Sequence, residues 1–176
     1  MRRMTPSESL RILRQGSPVE AMEATKFLIG SGEKQLLARQ LVPIALNRDY
    51  RKWNRIASIH TLGFLGSRSA VPALVSILAD EQEEPHIREH AAEAIGHIRG
   101  KRAIPILGKI LNSNERPSIR AECIFALSKM WEFRGDDKSL HPGARAILHK
   151  CARTKPTGKV AKQLKEALNN IRRGVT

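Results

Sequence analysis

Residues 87–111, IREHAAEAIGHIRGKRAIPILGKIL, decide the fold of this 176-residue chain. Their spacing predicts two short helices joined by a tight turn. In the first, Ile87, Ala91, Ala94, Ile95 and Ile98 recur at helical spacing as one apolar stripe. Gly96 lets that helix lie close to a neighbour, and Gly100 suits the left-handed position that ends a helix. In the second, Ile104, Leu107, Ile110 and Leu111 form another stripe, and Pro105 occupies the first turn, where its missing N–H costs nothing. Each helix is apolar on one face only, so the hairpin needs copies of itself on both sides.

Those copies are present. A 33-residue step back superposes Gly96 on Gly63, Ala103 on Ala70, Ile104 on Val71, Pro105 on Pro72, Leu107 on Leu74, and Arg88 on Arg55. A 32-residue step forward superposes Ile87-Arg88 on Ile119-Arg120, Ala94 on Ala126 and Ile95 on Leu127. A further step back from Gly63 reaches Gly30. The chain therefore reads as an array of helical hairpins. The stretch 87–111, and RIASIHTLGFLGSRSAVPALVSILAD (55–80) with it, resembles the short HEAT-like repeat, the type also found in phycobilisome lyases. The resemblance implies an all-α, right-handed α-solenoid of about four HEAT-like hairpins with a C-terminal cap helix. Such repeats serve many unrelated tasks, so fold alone does not assign function.

The whole of 1–176 reads as one repeat domain. Residues 1–17 form an N-terminal helix opened by a capping box at Thr5-Pro6-Ser7-Glu8. A degenerate repeat follows over 18–47, with an inward stripe of Val19, Met22, Ala24, Phe27 and Leu28. Repeats over 50–80 and 86–112 are clear, and the acidic loop DEQEEP (80–85) lies between them. The repeat over 117–152 carries an inserted loop at 131–143, WEFRGDDKSLHPG, and no strand is expected anywhere. Trp131, Phe133 and Arg134 of that loop are candidate binding residues, because insertions of this kind map to one edge of a solenoid. A cap helix over 158–173 completes the array.

Aromatic residues make up only 4% of the chain, so the core must be aliphatic. No apolar run approaches the ~20 residues of a membrane span, and no secretory signal is present. Cys123 and Cys151 read as buried free thiols of a cytoplasmic protein. The net charge of +14 lies towards the C-terminal end, where residues 101–176 hold 17 basic and 6 acidic side chains. Lys101, Arg102, Lys109, Arg116, Lys159, Lys162, Lys165, Arg172 and Arg173 are candidates for a positive strip. Arg55, Arg88 and Arg120 instead read as structural, pairing with carboxylates or carbonyls of the neighbouring repeat.

His86, His90, Glu93 and His97 fall within about a 60° sector of their helix, at a spacing that can grip a metal ion. One helix offers too few ligands, however, and no second helix supplies an evident partner. Deoxyhypusine hydroxylase is a HEAT-like enzyme similar to this chain in repeat context, and it binds two irons through His-Glu pairs. Here the matching dipeptide is reversed, Glu89-His90. Ile56-Ala57 and Ala121-Glu122 stand at the other matching positions, so that enzymatic reading is set aside. HEAT-like DNA glycosylases rely on clustered aromatics that this chain lacks. The expectation is a non-enzymatic basic scaffold without cofactor or evident small-molecule substrate, holding an acidic protein partner on its curved surface. Sequence-independent binding of nucleic-acid phosphates is the first alternative, and a HEAT-like DNA glycosylase or metal-dependent enzyme the second.

Overall fold

Thr5 opens the first helix as the capping box requires. Its hydroxyl accepts from the Glu8 N–H at 3.1 Å, and its own N–H donates to the Glu8 carboxylate at 3.3 Å. The computed structural model describes residues 5–30, 34–134 and 137–174, with side chains described outside 132–138. Helix α1 (Pro6–Gln15) is followed by α2 (Pro18–Gly30), α3 (Lys34–Leu46), α4 (Lys52–Leu65), α5 (Val71–Ala79), α6 (Pro85–Ile98), α7 (Ile104–Leu111) and α8 (Pro117–Ser128). A two-stranded hairpin, β1 (Trp131–Arg134) with β2 (Asp137–Leu140), precedes α9 (Pro142–Arg153) and α10 (Gly158–Arg173).

The elements stack as an α-solenoid. Helices α2, α4, α6, α8 and α10 pack one on the next as one layer, while α3, α5 and α7 each lie against the following member of that layer. The core between the layers is aliphatic and continuous, running from Leu13 and Leu28 through Leu41, Ile59, Leu74, Ile95, Leu107 and Leu127 to Leu148 and Leu164. Burying a side chain of this size is worth about 1.5–3 kcal/mol. Contacts only between neighbours therefore suffice to hold the array.

Two glycines set the spacing within the long layer. A Cβ on Gly63 would stand 3.0 Å from the Ala94 Cα, and one on Gly96 would stand 2.9 Å from the Ala126 Cα. Backbones approach this closely only without a side chain between them. Gly100 acts differently from expectation: its φ is −74°, and Arg99 takes the left-handed conformation at φ 56°. Gly66, one repeat earlier, stands at the position of Arg99 with φ 66°. Gly100 is needed because a Cβ there would meet the Val71 side chain at 2.8 Å.

The repeated arginines tie one repeat to the next. Arg55 donates through Nε to the Ala45 carbonyl at 3.0 Å and through both terminal nitrogens to Glu83 at 3.1 and 2.6 Å. Arg88 repeats the pattern on the Leu78 carbonyl at 3.0 Å and Glu115 at 2.6 Å, and Arg120 donates to the Leu111 carbonyl at 3.0 Å. Each guanidinium thus caps the C-terminal carbonyls of the preceding helix, where a cation also suits the helix dipole. Glu83, within the expected polar loop, is buried beneath Arg55.

Two further expectations change. In α2 the buried face is Ala21, Ala24, Thr25 and Leu28, whereas Val19 and Met22 are 67% and 53% exposed. The inserted loop contains strands: Trp131 pairs with Leu140 and Phe133 with Lys138 in antiparallel register. Trp131 and Leu140 are both buried, which anchors the hairpin to the core. Apolar residues alternate along WEF (131–133), a strand pattern too short to stand out from the surrounding helices.

Candidate metal centre

Helix α6 keeps its apolar stripe inward and turns His90, Glu93 and His97 to the surface beside α4. The repeat superposition fixes which α4 residues they meet. The 33-residue step places His60 at the position of Glu93 and Phe64 at that of His97. Gly63 brings the two helices close enough for these columns to touch. His60 Nε2 lies 2.8 Å from His90 Nδ1, His90 Nδ1 lies 3.2 Å from a Glu93 carboxylate oxygen, and that oxygen lies 3.8 Å from His60 Nε2. Both histidines and Glu93 are half-buried.

Each imidazole nitrogen presents a lone pair in one of its two tautomers and the carboxylate oxygen always does, whereas a single proton bridges only one pair of the three well. A cation at their centre would satisfy all three. A triangle with sides of 2.8, 3.2 and 3.8 Å has a circumradius of about 1.9 Å, so an ion slightly off its plane would sit about 2.1 Å from each donor. That is the length of ordinary metal–nitrogen and metal–oxygen bonds. Two imidazoles and one carboxylate on one face, with the remaining positions open, is the donor set of mononuclear non-haem iron sites. The residues therefore fit one divalent ion.

The charges around the triad favour the ligating forms. Burial holds the His60 imidazole below its ordinary pKa, and the charges of His90 and His97 act the same way while Glu93 opposes them. The hydrogen bond from His90 holds the Glu93 carboxyl below the usual range; burial works against this, and the nearby His60, His90 and His97 reinforce it. Neutral imidazole and ionised carboxylate are what a metal requires. His97 Nε2 lies 3.6 Å from the second Glu93 oxygen, and its ring is held between Phe64, 5.0 Å away, and Phe125, 5.6 Å away. Glu122 follows His90 by one repeat. Burial pushes its carboxyl up, Lys159 pulls it down, and Glu93 and Glu89 add to the rise.

The candidate residues thus separate. His90 and Glu93 join the triad, and His97 supports it. His86 is 66% exposed and contacts Glu89 at 3.3 Å, outside the triad. His60 was missed, and the expectation that no second helix supplies a partner is corrected by it. The signal was present: His60 falls in the column of Glu93 under the same step that defines the repeat.

The basic candidates form no single strip. Lys101 and Arg102 line a cleft at the α4–α5 and α6–α7 turns, while Lys162, Lys165, Arg172 and Arg173 line clefts on α10. Lys109, Arg116 and Lys159 are exposed elsewhere. Trp131 is buried, with its indole N–H donating to the Ser128 carbonyl at 2.9 Å, so it is part of the core. The side chains of Phe133 and Arg134 lie outside the described residues.

An α-solenoid of paired helices with a half-buried His/His/Glu cluster between adjacent repeats is the class that fold and site define. The model of the HEAT-repeat family matches residues 38–128, and the chain belongs to that family. A solved structure of the complex of CpcE and CpcF of phycocyanin lyase from Nostoc sp. PCC7120 shares the fold, with TM-score 0.74 and 20% identity over 93% of this chain and 97% of that one.

Curated relatives are named deoxyhypusine hydroxylase. The protein from Candida albicans is 34% identical over 79 residues, 45% of this chain and 24% of the relative. That from Neurospora crassa is 36% identical over 75 residues, covering 42% and 23%, and that from Arabidopsis thaliana is 29% identical over 131 residues, covering 72% and 40%. The chain thus spans less than half the length of these relatives. Proteins named for an enzymatic activity overturn the expectation of a non-enzymatic scaffold that holds an acidic protein. They also overturn the decision to set the deoxyhypusine hydroxylase likeness aside. Its physical basis remains, since Glu89-His90 is reversed and the described residues offer one three-ligand group, so they do not fit a pair of irons.

Proposed function

We propose that this chain is a metal-dependent enzyme of the deoxyhypusine hydroxylase kind, working with a single divalent ion at His60, His90 and Glu93. The observation that carries the reading is the convergence of those three donor atoms from two adjacent repeats, in a chain whose curated relatives bear that enzyme's name. An iron bound there would supply open coordination positions for oxygen and substrate. The chain's own residues hold the site: α4 delivers one imidazole, α6 delivers the second imidazole and the carboxylate, and His97 stands 3.6 Å from the carboxylate's other oxygen. Phe64, 52% exposed, gives the rim an apolar wall that excludes water on one side.

The hairpins and the cap act as one domain. Its two cysteines are free and buried, which fits a reducing, cytoplasmic setting. No described helix is long and apolar enough to cross a membrane.

Metal analysis after anaerobic loading with Fe(II) tests the reading. The intact protein should retain about one ion per chain, and His90→Ala or Glu93→Gln should lower affinity by roughly 10–100-fold or more. Hydroxylation of a deoxyhypusine-bearing protein should disappear in the same variants. No retained metal in the intact protein, or full retention in both variants, would sink the assignment.

A further inference from the structure

Away from the metal centre, two clefts of about 460 and 450 Å³ run side by side along the turns at one edge of the solenoid, sharing Arg68 and Ser69. The first is entered past Lys34 and Arg39, the second past Arg99, Lys101 and Arg102. Among the described residues, six cations and no carboxylate line the two clefts. Arg68, Arg102, Lys34 and Arg39 are exposed. Ser67 and Ser69 bring hydroxyls to the same floor, 2.9 Å apart.

The backbone gives an independent sign. The turn after α6 needs a left-handed residue, as does the equivalent turn after α4. There Gly66 serves without strain, whereas here Arg99 is held at φ 56°. A long side chain in that conformation costs energy that glycine avoids, and its effect is to place another cation at this edge.

We propose that this edge is a docking surface for the phosphate backbone of a nucleic acid, bound without sequence readout. The two clefts are continuous across three repeats, longer than one phosphate group needs. Arginine, lysine and serine hydroxyls are the side chains that contact backbone phosphates. Among the described lining residues only Leu65 and Val71 are large and apolar, which gives a folded protein or peptide partner little to anchor on. The described lining holds no aromatic ring on which bases could stack, so the contact is electrostatic.

The test is fluorescence anisotropy with a labelled 20-nucleotide single-stranded RNA of random sequence, titrated with the full chain between 50 and 300 mM salt. The intact protein should bind with log K falling linearly in log salt. Arg68→Ala/Arg102→Ala should weaken binding at least tenfold at low salt and make the salt slope shallower by about 1.4, at ~0.7 per lost phosphate contact. Lys162→Ala/Lys165→Ala, on the separate basic face of α10, should change affinity less than threefold. Circular dichroism and metal retention should be unchanged in both, which separates this surface from the metal centre. Absence of binding at 50 mM salt, equal losses in the two double variants, or equally tight binding of poly-glutamate of the same charge would overturn the proposal.

Discussion

Arg55 meets two needs with one side chain. It caps the end of α3 through the Ala45 carbonyl and neutralises Glu83, and both members of that pair are almost fully buried. Removing one partner leaves the other charge desolvated, so Arg55→Ala should destabilise the fold by about 3–5 kcal/mol in urea unfolding. Arg55→Met/Glu83→Leu, which leaves no orphaned charge, should lose much less. Acid should erode the same contacts. Burial tends to raise the carboxyls of Glu83 and Glu115, but the hydrogen bonds and charges of Arg55 and Arg48 on one, and of Arg88 and Arg116 on the other, hold both below the ordinary range. A lowered folded pKa means that the unfolded chain takes up the proton first. The stabilisation is thus complete above about pH 4.3 and fades as pH falls through the lower folded values. Urea midpoints of the intact protein should drop between pH 5 and 3, and those of the double variant should drop less. The arginine column was legible because it repeats; the burial of Glu83 was not, because a carboxylate in an acidic loop looks solvated until its partner is placed.

At the scale of the helix, the close approach of α4, α6 and α8 rests on absent side chains. Gly96→Ala would drive a methyl group to 2.9 Å from the Ala126 Cα and 3.1 Å from the Phe125 ring. It should cost about 1–3 kcal/mol, since backbone cannot move aside cheaply in a packed layer. Gly30→Ala meets nothing within 4 Å and should change stability by less than about 0.5 kcal/mol. Differential scanning calorimetry on the two variants separates contact from conformational freedom. Where the sequence pattern was strong, as in α6 and α7, the buried face was read correctly. In α2 the stripe was misplaced by about one residue, because α2 offers apolar side chains on both faces and Val19 and Met22 were available to the wrong one.

For the molecule as a whole, α10 extends the core by laying Val160, Leu164 and Ala167 against α8. Each large apolar side chain returned to water costs about 1.5–3 kcal/mol. Deleting residues 158–176 should therefore lower the melting temperature by on the order of 10 °C, at roughly 2–4 °C per kcal/mol for a chain of this size. It should also expose apolar surface to a hydrophobic dye. An unchanged melt would mean that α10 adds nothing to the core packed by α8 and α9.

Periodicity in the chain was enough to determine the paired helices, their stacking and the inter-repeat arginines, because each depends on spacing that a 32- or 33-residue step preserves. It also carried His60 into the column of Glu93, yet a shared column says nothing about distance. Only the packed structure decided that three lone pairs meet within a few ångströms, since that depends on how closely Gly63 lets α4 approach α6 and on how each ring is turned there.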